Sequence, residues 1–170
     1  MIQKKVRMVG LFGTGKTSLV QQFVHSIFSV KYHSTVGVKI DRKAVEVDGT
    51  SVTLVLWDLA GRDGTSDIPA SYLRGSHAIL FVVDGTRRES FDQLPELREL
   101  ARAAAGEVPS LVALNKTDLT DQWILGQREE AALAAQGCHV LKTSAKTGAG
   151  VEEAFTWLAR ETARNGGKPA

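Results

Sequence analysis

The sequence predicts an α/β fold: a mostly parallel six-stranded sheet with one antiparallel edge strand and helices on both faces. Apolar strand-like runs alternate with helical stretches along most of the chain, as in parallel sheets. One pair of strands is instead joined by the tight turn Asp48-Gly49, which predicts a β-hairpin. The 170 residues suit a single domain with a sizeable core, predicted over residues 1–164, followed by a disordered tail over residues 165–170.

Each element follows from its own residue pattern. Strands are predicted where apolar residues alternate or run together, at residues 6–9, 36–47, 52–56, 78–83, 111–114 and 138–141. Helices are predicted where apolar residues recur at helical spacing or alanine is abundant, at residues 19–24, 91–100, 128–136 and 151–159. The polar stretch over residues 28–35 lacks strong periodicity, so we interpret it as a loop.

A glycine-rich segment, which we call the phosphate loop (residues 10–17), lies between the first strand and the first helix. A loop that wraps a polyphosphate must turn successive backbone N–H groups inward, and Gly10, Gly13 and Gly15 permit the conformations that this needs. Lys16 would place a positive charge against the terminal phosphates, and Thr17 would offer a hydroxyl to magnesium. The following helix directs its partly positive N-terminus at the same anion. The alternative is an ordinary glycine-rich turn with an exposed lysine.

Polar residues also follow three other predicted strands. Open parallel sheets bind ligands at the carboxyl ends of their strands, so these residues are candidates for the rest of the site. Asp58 is predicted to hold magnesium through its outer ligand shell, the alternative being a solvated aspartate at a strand end. In Asn115-Lys116-Thr117-Asp118, the last carboxylate can accept two hydrogen bonds from the amino and imino groups of guanine, which adenine cannot offer. Ser144-Ala145-Lys146 can bring a backbone N–H to the guanine carbonyl oxygen.

In this order and at these separations, the four motifs resemble the Ras superfamily of small GTPases, from about Val6 to the last helix. Residues 35–38, 57–61 and 71–75 are most similar to the Rab branch. The resemblance implies a P-loop G domain that binds GTP or GDP with Mg²⁺. The nucleotide-binding residues that it implies are Gly13, Thr14, Gly15, Lys16, Thr17, Ser18, Phe28, Tyr32, Thr35, Gly61, Asn115, Lys116, Asp118, Ser144, Ala145 and Lys146. The implied metal-binding residues are Thr17, Thr35 and Asp58, and the implied catalytic residues are Lys16, Thr35, Gly61 and Arg62.

The resemblance also gives particular roles to residues of the two loops that would change with the nucleotide. Thr35 would contact magnesium and the γ-phosphate, and Gly61 would donate its N–H to that phosphate. Phe28 would pack on the guanine, and Tyr32 would lie over the phosphates. Each has an ordinary alternative as a surface, turn or core residue. For Trp57 two interpretations are equally supported: it packs in the core, or it forms part of a surface that a partner recognises.

Two positions depart from the family pattern. Arg62 stands after Gly61, where family members usually carry the glutamine that orients the attacking water, and Phe12 replaces a small residue of the phosphate loop. Arg62 cannot accept a proton or a hydrogen bond from water, and a ring at Phe12 could crowd the γ-phosphate or an arginine finger. Nucleotide binding should survive both changes, whereas hydrolysis is in doubt.

The motifs leave three candidate functions. The first is a guanine-nucleotide switch that hydrolyses GTP slowly and controls a partner, with effector, exchange and activating proteins at its switch loops. The second is a binding module that holds GTP or GDP with negligible turnover. The third, a P-loop kinase or ATPase, is disfavoured by Asn115-Lys116-Thr117-Asp118.

The bulk composition indicates which kinds of partner and which cellular compartment to expect. The formal net charge is +2 and no block of like charge occurs, so nucleic-acid or membrane binding is not implied. The single cysteine, Cys138, lies in an apolar run and is predicted to be a small core residue of a cytoplasmic protein. The sequence carries neither a terminal cysteine for prenylation nor a myristoylation glycine, so no lipid anchor is expected. Alanine-rich helices and the absent lipidated tail suggest a prokaryotic source.

Overall fold

A six-stranded sheet forms the centre of the protein in the computed structural model, which describes residues 2–29, 37–59 and 68–165. Its order is β2-β3-β1-β4-β5-β6. All neighbouring strands are parallel except β2 and β3, so the predicted antiparallel strand lies at one edge. The strands are β1 (Ile2–Val9), β2 (Val38–Val47), β3 (Thr50–Leu59), β4 (Ala78–Asp84), β5 (Ser110–Asn115) and β6 (His139–Lys142).

Six α-helices accompany the sheet in the described part of the chain. They are α1 (Lys16–His25), α2 (Ala70–Leu73), α3 (Arg88–Asp92), α4 (Leu94–Ala105), α5 (Gln127–Ala135) and α6 (Val151–Arg164), with a 3₁₀ turn at Thr120–Gln122. None of these helices is long and apolar enough to cross a membrane.

The helices bury the two faces of the sheet in two separate cores. Along β4, every side chain is buried, and alternate residues enter opposite cores because successive side chains of a strand point to opposite faces. Leu80 packs in the first core, beneath α1 and α6, whereas Phe81 packs in the second core, beneath α2, α4 and α5. A stacked pair, Phe23 and Phe155 with ring centroids 4.1 Å apart, joins α1 to α6. The predicted α/β architecture with helices on both faces is therefore confirmed.

Several element boundaries differ from the predicted ones. β1 begins at Ile2, because its polar first half pairs with β3 from the Ile2–Val52 pair onward. The stretch predicted as helical over residues 91–100 forms two helices, α3 and α4. The four-residue α2 was not predicted, since one turn is too short to show a period. Cys138 precedes β6 and is only partly buried, although it packs against the second core as expected.

The structure also answers the question about Trp57. Its ring is half-buried, packs against the second core and lies 4.2 Å from the guanidinium carbon of Arg7. Arg7 is itself buried, and its Nε donates to the backbone oxygen of Tyr72 in α2 at 2.9 Å. Trp57 therefore takes part in core packing, while part of the residue stays accessible.

Candidate nucleotide-binding site

The phosphate loop leaves the carboxyl end of β1 and enters α1 at Lys16. Gly13 and Gly15 have φ values of 77° and 105°, a region that residues with a side chain rarely adopt. Gly10 lies so close to β4 that a β-carbon there would meet the backbone oxygen of Val82 at 2.5 Å. These three glycines are therefore required by backbone conformation or close approach, as the sequence predicted.

Five consecutive carbonyl groups of the phosphate loop accept hydrogen bonds from side chains. Lys16 Nζ donates to the oxygens of Gly10 and Leu11 at 2.9 and 3.0 Å, Arg87 Nη1 to Phe12 at 2.7 Å, Lys116 Nζ to Gly13 at 2.7 Å and Asn115 Nδ2 to Thr14 at 3.0 Å. In a trans peptide unit the N–H points away from the C=O. The clamped carbonyls therefore turn the N–H groups of the same peptide units to the other side of the loop, as an anion-binding concavity requires. The exception is the N–H of Thr14, which donates to the oxygen of Leu11 at 3.4 Å.

Lys16 is a buried cation, with 6% of its surface exposed. Burial lowers the pKa of its ammonium to about 8, and the carboxylate of Asp58 acts in the opposite direction. Its two acceptors, the oxygens of Gly10 and Leu11, are neutral carbonyl groups, which satisfy donors without neutralising the charge. A phosphate group beside Lys16 would supply the missing negative charge, so this environment fits a polyphosphate.

Thr17 and Asp58 bring two oxygen ligands together beside the loop. Thr17 Oγ1 donates to Asp58 Oδ2 at 2.5 Å, and Asp58 is only 1% exposed. In the described parts of the chain, no group of three or more His, Cys, Asp or Glu residues could hold a metal. Mg²⁺ is commonly held by one or two carboxylates together with substrate phosphates and water. Thr17 and Asp58 fit Mg²⁺ of this kind, which needs a bound phosphate to complete its ligands.

The last residue of β5 and the residue after it connect the phosphate loop to the segment that follows β6. Asn115 is 1% exposed, and its Oδ1 accepts a hydrogen bond from Thr143 Oγ1 at 3.0 Å while its amide binds the phosphate loop. Lys116, at φ 73°, forms a 2.8 Å ion pair with the buried carboxylate of Asp84. The structure shows both residues as supports of the phosphate loop, and their assignment to the nucleotide stays a prediction.

Asp118 is positioned by the segment that follows β6. Ser144 Oγ donates to Asp118 Oδ1 at 2.7 Å and accepts from the N–H of Thr147 at 3.1 Å. Because the hydroxyl holds one carboxylate oxygen, the orientation of the carboxylate is fixed. Ala145 is buried and Lys146 is exposed. An oriented carboxylate at this edge of the sheet is suited to reading hydrogen-bond donors on a base.

The structure brings most of the predicted residues to one edge of the sheet. The phosphate loop, Asp58, Asn115 and Ser144 lie at or just beyond the carboxyl ends of β1, β3, β5 and β6, in agreement with the sheet-edge rule. Ser18 lies in the first turn of α1, and Phe28 follows α1 with 40% of its surface exposed. The assignments of Tyr32, Thr35, Gly61 and Arg62 lie outside the described residues and stay predictions.

Sequence reasoning missed the contribution of the strand between these motifs. Asp84 ends β4 and holds Lys116, while Arg87, three residues later, holds the Phe12 carbonyl. Both residues obey the rule that polar groups after a strand point to the site. Applying that rule to every strand, including β4, would have identified them.

Comparisons with known proteins agree with this geometry. A model of the Ras family matches residues 5–164. The chain is 37% identical over 159 residues to Ras-related protein Rab-1 of Theileria annulata, covering 92% of this chain and 72% of that protein. It is 36% identical over 176 residues to Ras-related protein RIC1 of Oryza sativa subsp. japonica, covering 98% and 87%. It is 35% identical over 159 residues to Ras-related protein Rab-8B of Homo sapiens, covering 92% and 77%.

The chain therefore belongs to the Ras family of small GTPases, as its motifs indicated. Membership implies a GTP- and GDP-binding switch, and it agrees with the six-stranded sheet and the clamped phosphate loop. The similarity to Rab proteins that was predicted from three short segments extends over most of the chain. A prokaryotic source stays a prediction.

Proposed function

We propose that this protein binds GTP or GDP with Mg²⁺, hydrolyses GTP slowly and controls a partner through two nucleotide-dependent loops. The observation that carries the proposal is the set of five clamped carbonyls in the phosphate loop. These side-chain donors hold the backbone of the phosphate loop in one conformation. A loop held in this way is suited to binding an anion through its N–H groups. The buried ammonium of Lys16 adds the charge that a polyphosphate needs.

Selection of guanine is assigned to Asp118. Its carboxylate, held by Ser144, can accept from both the amino and the imino group of guanine. Adenine lacks this donor pair, so bound adenine would leave a desolvated carboxylate without partners. ATP should therefore compete poorly with GTP for the site, and equal displacement by the two nucleotides would refute this assignment.

Phosphate binding and stabilisation of charge are assigned to the phosphate loop. Its N–H groups and Lys16 bind and orient the β- and γ-phosphates, and Thr17 with Asp58 would hold Mg²⁺. When bound, the metal would supply positive charge that offsets the negative charge of the phosphates. Slow hydrolysis is inferred from Arg62, because a guanidinium donates hydrogen bonds and cannot accept one from the attacking water.

A second function, a GTP- or GDP-binding module with negligible turnover, is favoured by the same Arg62 together with Phe12. Phe12 lies in the phosphate loop and is 37% exposed, at a surface where an arginine finger usually enters. Single-turnover phosphate release separates the two functions. We expect slow release from the parent and faster release from Arg62→Gln, most clearly when it is combined with Phe12→Gly.

The opposite result would change the mechanism. If the parent is fast and Arg62→Ala is slow, Arg62 stabilises the transition state in cis, and our inference of slow hydrolysis is wrong. If neither the parent nor the Arg62→Gln variants release phosphate, the binding module is the better description.

The central experiment identifies the nucleotide that copurifies with the protein and then measures affinity for a fluorescent GDP analogue. Lys16→Ala should lose most of this affinity, whereas Lys142→Ala, at an exposed lysine paired with Glu130, should keep it. Equal affinity of the two variants would refute the phosphate site.

The switch itself is tested by hydrogen exchange. Residues 28–35 and 61–75 should be protected differently with GDP and with a non-hydrolysable GTP analogue, because only the γ-phosphate can contact Thr35 and Gly61. Effector, exchange and activating proteins are expected to bind these loops. Identical protection in the two states would support the static binding module.

A further inference from the structure

Arg87 reaches the phosphate loop from outside the motifs that define the family. Its backbone is fixed just after β4: its N–H donates to the oxygen of Asp84 at 3.0 Å, and its own oxygen accepts from the N–H and hydroxyl of Ser90 at 3.1 and 2.8 Å. From this position, Nη1 donates to the oxygen of Phe12 at 2.7 Å. The same nitrogen lies 3.3 Å from the place where a β-carbon on Gly13 would be.

We propose that Arg87 is a positioning residue that holds the peptide unit between Phe12 and Gly13 so that the Gly13 N–H faces the nucleotide phosphates. The inference rests on the proposed nucleotide-binding function. Arg87 acts on the carbonyl of this peptide unit, and the trans geometry transmits that restraint to the N–H on the opposite side. It thus extends to Phe12 the clamp that Lys16 and Lys116 apply to neighbouring carbonyls.

The guanidinium is suited to this role because its ends have separate contacts. Nη1 binds the loop, while Nη2 lies 3.7 Å from Glu89 Oε2. The carboxylate of Glu89 thus lies beside the other end of the guanidinium, as one partner of an exposed ion pair. Lysine has a single point charge and could not make both contacts with the same planar geometry.

Exposure sets the size of the expected effect. The Arg87 side chain is 40% exposed, so water can replace part of its hydrogen bond when it is removed. When buried, a hydrogen bond from a charged donor contributes more stabilising free energy than one from a neutral donor. Solvent screening reduces that contribution at the partly exposed Arg87. We therefore expect Arg87→Ala to raise the GDP dissociation constant about 3- to 10-fold.

Arg88 provides a matched control on the adjacent residue. It is an arginine of similar exposure, but it pairs with Asp92 at 3.1 Å and Glu129 at 2.8 Å instead of with the phosphate loop. Loss of charge from this region is common to Arg87→Ala and Arg88→Ala. Loss of the contact with Phe12 occurs only in the first.

The test measures GDP and GMP dissociation constants by competition with a fluorescent GDP analogue, for the parent, Arg87→Ala, Arg87→Lys, Arg87→Gln and Arg88→Ala. Arg87→Ala should weaken GDP more than GMP, because the loop wraps the β-phosphate, which GMP lacks. Arg87→Lys and Arg87→Gln should recover part of the loss, since each can still donate to the Phe12 oxygen. Arg88→Ala should bind both nucleotides as the parent does.

The outcomes separate this inference from the proposed function. A parent that binds no guanine nucleotide would refute the function itself. If the parent binds GDP and Arg87→Ala binds it as tightly as Arg88→Ala does, the positioning role of Arg87 is wrong. Equal weakening of GDP and GMP would also refute it, because the effect would then not be specific to the phosphate loop.

Discussion

Replacing Gly15 by alanine tests the contact between the phosphate loop and Asn115. Gly15 has φ 105° and ψ 20° directly before α1, and a β-carbon there would overlap Nδ2 of Asn115. That nitrogen is the buried donor to the oxygen of Thr14, and the same side chain accepts from Thr143. Gly15→Ala should therefore displace Asn115 and disrupt both hydrogen bonds.

The expected loss of stability has two parts. A residue with a side chain in the left-handed region costs about 1–2 kcal/mol. Leaving buried hydrogen-bonding groups at Thr14 and Thr143 without a partner costs about 1–3 kcal/mol each. The free energy of unfolding should fall by about 3 kcal/mol or more, of which the larger share belongs to the displaced Asn115.

Gly137→Ala is the control for backbone strain alone. Gly137 also has positive φ, 78°, but no atom outside its own vicinity lies within 4 Å of the place where its β-carbon would be. Urea unfolding of both variants, with GDP affinity measured in parallel, separates the two parts. Gly137→Ala should lose about 1–2 kcal/mol and keep its GDP affinity. If Gly15→Ala loses no more than Gly137→Ala, the Asn115 contact does not stabilise the loop and the reasoning is wrong.

Two further predictions concern the base and pH. Asp118→Asn should shift preference from guanosine to xanthosine diphosphate by about tenfold or more, because the amide can donate to the xanthine carbonyl; an unchanged preference in competition titrations would contradict this. Hydrogen bonds from the Gly126 N–H and from Arg88 lower the pKa of Glu129 from 4.5 to about 2. The folded protein therefore gains stability from ionised Glu129 above pH 4.5 and loses it as pH falls towards 2, so the stability difference from Glu129→Gln should shrink over that range in urea unfolding. A difference independent of pH would contradict the assignment.

The phosphate loop could be predicted from sequence because its determinants are contiguous. Its glycines, Lys16 and Thr17 all lie within eight residues between a strand and a helix, so a local pattern contains them. The alternation of strands and helices was predictable for the same reason, since each element shows its own period. The four-residue α2 has too few positions to show one.

The supports of the loop could not be predicted from a local pattern. Lys116 contacts Gly13 from 103 residues away, and Arg87 contacts Phe12 from 75 residues away. These contacts exist because β4 and β5 lie beside β1 in the sheet, an order that periodicity does not reveal. The sequence could place a polar residue at the correct edge, but not decide whether it binds the ligand or the loop.

That distinction changes how base recognition and phosphate binding are related. Asn115 and Lys116 hold the phosphate loop, and Asp118, two residues later and proposed above to read the base, is held by Ser144. Thr143, the neighbour of Ser144, binds Asn115, which closes the connection between the two ends of the site. Because buried hydrogen bonds that share a side chain do not break independently, the segment from Asn115 to Asp118 and the phosphate loop form one cooperative unit. We therefore expect a nucleotide whose base binds Asp118 also to stabilise the phosphate loop in the conformation that receives its phosphates, so discrimination against the wrong base should extend to phosphate affinity.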